Sequence, residues 1–181
     1  GTMRIAVENE NDAPEVVGFE VEGKEDQEVG IDVVGLGGYE DEDGDELKSI
    51  EMVRLDIEGV LLNKGIEVKE GQEIRVSDIS LSYKPSPNRT GYSYVGYKAS
   101  DGVAKSSEAV ITITIIGEND APEMGDMEVS ISEEEEKLLS IGEISVLAGY
   151  QDVEGELVSK VKVESVPDKV RGKIGGVEIE A

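Results

Sequence analysis

The residues of this chain whose types and spacing suit chemistry are oxygen donors, and they come in clusters. Glu10-Asn11-Asp12-Ala13-Pro14 recurs as Glu118-Asn119-Asp120-Ala121-Pro122, with the two asparagines 108 residues apart (119 − 11). Between them runs Tyr39-Glu40-Asp41-Glu42-Asp43-Gly44-Asp45-Glu46-Leu47. Alternate Asp residues on an extended loop point their carboxylates the same way, and Gly44 permits a tight bend. Donors of this kind suit a hard divalent cation, since Ca²⁺ takes six to eight oxygens at about 2.3–2.6 Å, mixing carboxylates with backbone carbonyls. The loop is not an EF-hand: with Gly44 at the sixth position, Tyr39 falls at the first and Ile50 at the last, and neither ligates as that motif requires. A charge run is usually a solvated surface. Two matching oxygen-rich motifs at one period favour instead a hinge between tandem β-domains that is stiffened by a metal.

Composition narrows the classes. The formal net charge is −25, which excludes a general nucleic-acid binder, because phosphate contacts need clustered Lys and Arg. It equally disfavours attachment to an anionic membrane surface. There is no Cys and no His, so there is no disulfide framework, no thiolate site, and none of the commonest general base or transition-metal ligand. No run of about 18 apolar residues offers a membrane span. Gly1-Thr2-Met3 reads as an expression remnant ahead of the natural sequence. High charge with only 4% aromatic residues lies near the border of disorder. Lys dominates the 17 basic residues, which argues against halophilic solvation and for cations that neutralise clustered carboxylates.

The elements that must position these donors read as short strands. Residues 4–7 and 111–116 are β-branched and alternating, one before each Asn-Asp motif. Residues 16–21 and 28–34 suit a first and a second strand, after which Gly35-Leu36-Gly37-Gly38 breaks the pattern. From 47 to 57 the apolar phase switches: Ile50 and Met52 share one parity, while Val53, Leu55 and Ile57 share the other, which demands a bulge near Met52. Residues 60–62 and 66–68 flank a hairpin turn at Asn63-Lys64-Gly65. Ile79, Leu81 and Tyr83 alternate before the loop Pro85-Ser86-Pro87-Asn88. Residues 92–100 form a strand with Val95, Tyr97 and Ala99 inward and Tyr92 and Tyr94 outward. Asp101-Gly102 turns it, and 109–116 closes the unit. Helix is nearly absent, with at most one turn at 133–139. The pattern predicts an all-β, antiparallel sandwich.

After Pro122 the pattern restarts, as in a repeat array. Residues 127–131 and 138–147 stand where the first two strands did. Gly149-Tyr150-Gln151-Asp152-Val153-Glu154-Gly155-Glu156-Leu157 mirrors the first acidic loop, Tyr150 lying 111 residues after Tyr39 (150 − 39). Gly176-Val177-Glu178-Ile179 mirrors Gly65-Ile66-Glu67-Val68. The expected organisation is a remnant and last strand of a preceding repeat at 1–10, a complete repeat at 11–118, and a partial second repeat at 119–181. An open partial repeat invites a strand from a neighbouring copy, such as residues 4–7.

Ala99-Ser100-Asp101-Gly102, residues 107–116 and Glu118-Asn119-Asp120-Ala121-Pro122 together resemble the closing segment of a cadherin-type repeat. With Asp41-Glu42-Asp43-Gly44-Asp45 and residues 76–83, the chain looks most like the cadherin-like tandem repeats of bacterial and archaeal surface adhesins. The proteoglycan-type repeats of some animal surface proteins are cousins. The likeness covers residues 4–118 well and 119–181 partly. It implies Greek-key sandwiches strung end to end, with Ca²⁺ at the junctions. Carried over by motif, the first junction would use Asn11, Asp12, Asp41, Asp43, Asp45 and Asp101. The second would use Glu25, Asp26, Glu118, Asn119, Asp120, Asp152 and Glu154. Val153 stands where the first loop has an acid, Glu154 and Glu156 where it has Asp, and the second unit has no counterpart of the closing Asp101-Gly102 loop, so the second junction is expected to bind more weakly or not at all.

The expectation is a non-catalytic Ca²⁺-binding repeat of a large cell-surface or secreted adhesin, rigidifying a stalk and supporting adhesion. Its partners would be neighbouring repeats, a homophilic or strand-exchanging copy, and a glycan or cell-surface protein. The alternative is a carbohydrate-binding or accessory module of a secreted polysaccharide-degrading enzyme, with Tyr92 and Tyr94 stacking on sugar. Catalysis by this chain is not expected, because nothing singles out an acid/base pair among its 42 carboxylates. Glu133-Glu134-Glu135-Glu136 reads as a solvated turn, and Asn88-Arg89-Thr90 matches a glycosylation sequon.

Overall fold

The computed structural model describes residues 2–6, 10–130 and 137–162, together with the backbone of 172–174 and 177–179. The chain divides into two compact units, Gly1–Glu118 and Asn119–Ala181.

The first unit is a two-sheet β-sandwich. Its strands are β1 (Phe19–Lys24), β2 (Val29–Ile31), β3 (Ser49–Asp56), β4 (Gly59–Asn63), β5 (Ile66–Glu67), β6 (Glu73–Arg75), β7 (Leu81–Pro85), β8 (Gly91–Ser100) and β9 (Ala109–Ile116). One sheet has the order β1-β9-β8-β3-β6 and the other β2-β7-β4-β5. Period-2 alternation makes the core. Along β9, Ala109, Ile111, Ile113 and Ile115 are buried, and on β8 Val95 and Tyr97 join them. Leu61, Leu81 and Tyr83 face them from the second sheet. Fully burying an Ile or Leu side chain contributes about 1.5–3 kcal/mol. The two sheets are also tied by polar atoms, because the Tyr83 hydroxyl meets Ser93 Oγ at 3.0 Å and donates to the Glu58 carbonyl at 2.6 Å. A buried phenol needs such partners.

The phase switch in β3 is resolved as its parity demands. The pairing of β3 with β8 shifts register between Met52 and Arg54, so Ile50 and Met52 stay buried while Leu55 packs against the same core. The β4–β5 hairpin turns at Lys64 (φ 51°) and Gly65 (φ 77°), with Asn63 paired to Ile66. Positive φ at both central residues matches the right-handed strand twist.

Several expectations are corrected. The first strand begins at Phe19 rather than at 16, and it pairs in parallel with β9 over six registered positions, from Phe19↔Ile111 to Lys24↔Ile116; the other pairings are antiparallel. The second strand stops at Ile31. Asp32 accepts the Gly35 N–H at 2.9 Å and caps a single helical turn, α1 (Val33–Leu36), in place of the extended run to 34. Residues 2–6 form no strand, and Val7 lies outside the described residues.

In the second unit the run 138–147 is not a strand. It contains helix α2 (Ile141–Leu147), begun by a capping box in which Glu143 N–H donates to Ser140 Oγ at 3.2 Å and Ser140 N–H to Glu143 Oε2 at 2.8 Å. Residues 127–130 form no strand, and Ile131 and the Glu133–Glu136 run lie outside the described residues. Strands β10 (Gly172–Ile174) and β11 (Val177–Ile179) pair antiparallel, the latter standing where the sequence repeat places a counterpart of β5.

Candidate metal centre

The acidic loop is shaped from within by its first aspartate. Asp41 Oδ1 accepts the backbone N–H groups of Asp43 and Asp45, each at 3.0 Å. Gly44 N–H donates to the Asp41 carbonyl at 3.2 Å, closing a turn that Gly44 enters at φ 80°. One carboxylate oxygen from each of Asp41, Asp43 and Asp45 then lies within 4.8 Å of the others. The second oxygen of Asp41, Oδ2, is buried with no hydrogen-bond partner. Like charges about 4 Å apart repel by about 1 kcal/mol in water and about 4 kcal/mol at an effective dielectric near 20. A buried carboxylate oxygen without a donor is a further cost. A cation would relieve both, so these residues fit a hard divalent ion.

Two distant segments converge on this loop. Asp12 N–H donates to Asp43 Oδ2 at 2.7 Å, and Asn11 Nδ2 donates to Asp101 Oδ2 at 3.0 Å and to the Asp12 carbonyl at 2.7 Å. Asp101 is buried just past the end of β8, and its Oδ1 accepts Val103 and Ala104 N–H at 2.6 and 2.7 Å. These bonds, the Asn11 amide first among them, hold its carboxyl below the usual range. Asn11, Asp12, Asp41, Asp43, Asp45 and Asp101 are thus assembled at one end of the sandwich from positions up to 90 residues apart.

The stems beneath the site explain why these segments meet. Glu15 and Glu40 exchange both backbone bonds, at 2.8 and 3.0 Å, and Val17 N–H donates to the Gly37 carbonyl at 2.9 Å. The Tyr97 hydroxyl, rising from the core, donates to the Val17 carbonyl at 2.8 Å. Burial pushes that phenol up to about 12. Tyr39 was not among the expected site residues, yet its hydroxyl donates to the Asp45 carbonyl at 3.1 Å. Its pKa is raised by burial first, then by Asp41, Asp101 and Asp45. The recurrence of the tyrosine as Tyr150 was the available signal.

The second unit rebuilds the same scaffold from its own residues. Glu123 and Gln151 exchange backbone bonds at 2.8 and 2.9 Å, and Gly155 N–H donates to the Asp152 carbonyl at 3.2 Å with Gly155 at φ 77°. Asp152 Oδ1 accepts Glu156 N–H at 2.7 Å, Asp120 N–H donates to Glu154 Oε1 at 3.3 Å, and Asn119 Nδ2 donates to the Asp120 carbonyl at 2.8 Å. Asn119, Asp120, Asp152 and Glu154 therefore stand in the same relations as Asn11, Asp12, Asp41 and Asp43. The contact to Glu154 is 0.6 Å longer than that to Asp43 (3.3 − 2.7).

The remaining expected ligands lie in the first unit. Glu25 is buried and accepts Glu118 N–H at 2.6 Å. Asp26 is exposed at φ 57° and accepts Asn88 N–H at 3.1 Å. The Glu118 carboxylate is engaged by Lys24 and, at 3.2 Å, by Gln27 Nε2. Glu118 would have to release Lys24 to coordinate a metal; an exposed pair of this kind is worth about 0–1 kcal/mol.

Residues 11–114 match the family described as bacterial Ig domain. That is more than half of the chain, and the chain belongs to this family. Its domains are Ig-fold β-sandwiches, typical of surface or extracellular proteins and typically non-catalytic. The match supports an Ig-like bacterial surface domain and does not specify the cadherin-like kind. No curated protein matches the chain. Among the described residues no helix is long and apolar enough to cross a membrane.

Proposed function

We propose that the chain is a non-catalytic Ca²⁺-binding repeat of a large cell-surface or secreted adhesin, of the cadherin-like kind, in which bound ions rigidify a multidomain stalk and so support adhesion. One observation carries the reading: six oxygen-bearing residues, Asn11, Asp12, Asp41, Asp43, Asp45 and Asp101, converge on one end of the sandwich, with a buried Asp41 oxygen lacking a donor. Asp41 divides its labour, one oxygen organising the loop and the other left for an ion. Extracellular Ca²⁺ modules bind at about 10⁻⁴–10⁻³ M, and this partly exposed loop suits that range. Neighbouring repeats of the same chain are the natural partners, with a glycan or cell-surface protein as the adhesion target.

A second reading, a glycan-binding accessory module, draws support from Tyr92 and Tyr94, which stand 60% and 36% exposed on the outer face of β8 opposite Thr114 and Thr112. Aromatic rings beside threonine hydroxyls suit stacking on sugar. Calcium titration by calorimetry, on the chain and on Asp41→Asn, tests the first reading: saturable binding that Asp41→Asn weakens supports it, and no heat in either protein overturns it. Glycan-array binding that depends on Tyr92 and Tyr94 would favour the second.

A further inference from the structure

We infer that Tyr39 is a positioning residue of the Ca²⁺ site, its hydroxyl clasping the Asp45 carbonyl so that the acidic loop is held closed around the space an ion would fill. The inference rests on the Ca²⁺ reading above and adds a residue that is no ligand.

The hydrogen bonds made by Asp41 shape residues 41–45 from inside. The Tyr39 side chain adds a bond that spans the loop, from its first residue to its seventh. Three carboxylates in a loop of this size push it open when no ion neutralises them, so a clasp outside the ligand set matters most before binding. Its hydroxyl is spent on a carbonyl and leaves every carboxylate oxygen for other use. Preorganisation of this sort lowers the ordering cost of binding and appears as affinity. The second unit carries a tyrosine at the matching place: Tyr150 precedes Asp152 as Tyr39 precedes Asp41, and burial and the charges of Asp152 and Glu156 raise its pKa. In both units the tyrosine follows a glycine at positive φ, Gly38 at 56° and Gly149 at 61°.

The test compares the full chain with Tyr39→Phe, which keeps the ring and removes the hydroxyl, and with Tyr92→Phe as an exposed control. Each is titrated with Ca²⁺ by calorimetry and melted in chelator. The expected result is a 3- to 10-fold weaker Kd for Tyr39→Phe, about what one lost hydrogen bond gives. Its melting temperature in chelator should fall by no more than one neutral hydrogen bond accounts for, and Tyr92→Phe should bind normally. Unchanged affinity in Tyr39→Phe would overturn the inference and leave the Ca²⁺ reading standing, as would a lower melting temperature in chelator with no change in Kd. Absence of Ca²⁺ binding by the parent chain would overturn the reading, and the inference with it.

Discussion

The Tyr97 hydroxyl donates to the Val17 carbonyl at 2.8 Å, across 80 residues of sequence. That bond runs from the centre of the core to the segment that leads up to Asn11 and Asp12. The same hydroxyl lies 3.5 Å from the Gly37 carbonyl, on the stem of the acidic loop. One buried phenol therefore seats both strands of chain that carry the candidate site.

Tyr97→Phe should lower the stability of the first unit by about 1 kcal/mol, the net worth of one neutral hydrogen bond. The loss should be visible as a lower urea midpoint with an unchanged m-value. The matched change Tyr94→Phe, on the outer face, should move neither.

Alkaline pH should act through the same group. Its folded pKa of about 12 lies above the ordinary phenol value of 10.0, so the folded state favours the neutral phenol. The contribution is complete below pH 10 and fades as pH rises through about 12. Titrating tyrosinate absorbance alongside circular dichroism checks this. In Tyr97→Phe the portion of the alkaline loss due to this group should vanish.

Acid acts through Asp101. Its folded carboxyl is held below the ordinary value of 3.8, mainly by the Asn11 amide. The stability it contributes is therefore present above about pH 4 and lost as pH falls below it. Asn11→Ala should shift the acid unfolding midpoint of the first unit upward, and NMR titration of the Asp101 carboxyl should show its pKa rising toward the ordinary value.

Gly44→Ala meets no neighbouring atom within 4 Å, yet its backbone stands at φ 80°. A side chain there costs roughly 1–2 kcal/mol. Ca²⁺ affinity should fall in Gly44→Ala and recover in Gly44→Asn, since Asn tolerates the left-handed region better. Equal Ca²⁺ binding by Gly44→Ala and the parent would sink this expectation.

Chelation should lower the melting temperature of the chain, and added Ca²⁺ should raise it, because a ligand bound only by the folded state stabilises it by mass action. At 100-fold excess over Kd the rise corresponds to about 2.7 kcal/mol. Mg²⁺ at the same concentration should do less, since it demands strict octahedral geometry.

The strands that alternate cleanly were legible in the sequence. The residues of β9 (Ala109–Ile116) need only period 2, and the β3 bulge is written in the clash of parity between Met52 and Val53. The helical segments were not legible from β-branched content alone. Val33 and Ile141 look like strand residues, and local capping by Asp32 and by the Ser140–Glu143 box overrides that propensity. The spacing Ser140-x-x-Glu143 was the readable sign. In the candidate site, the acidic loop and both Asn-Asp motifs announce themselves by composition. That Asn11 reaches Asp101 follows from topology, which pairs segments 90 residues apart. The parallel pairing of β1 was likewise set by tertiary contact, since a lone strand carries no sign of its partner's direction.

That parallel pairing bears on force. Strand β1 lies near the entry of the first unit and β9 near its exit, and their chains run the same way over six registered positions. Tension pulling the entry and exit of this unit apart would load the whole ladder in shear. An antiparallel hairpin pulled at its open end peels one bond at a time, whereas this ladder must slip at every position together. Resistance of this unit to a pull along its length is therefore expected to rest on the β1–β9 ladder.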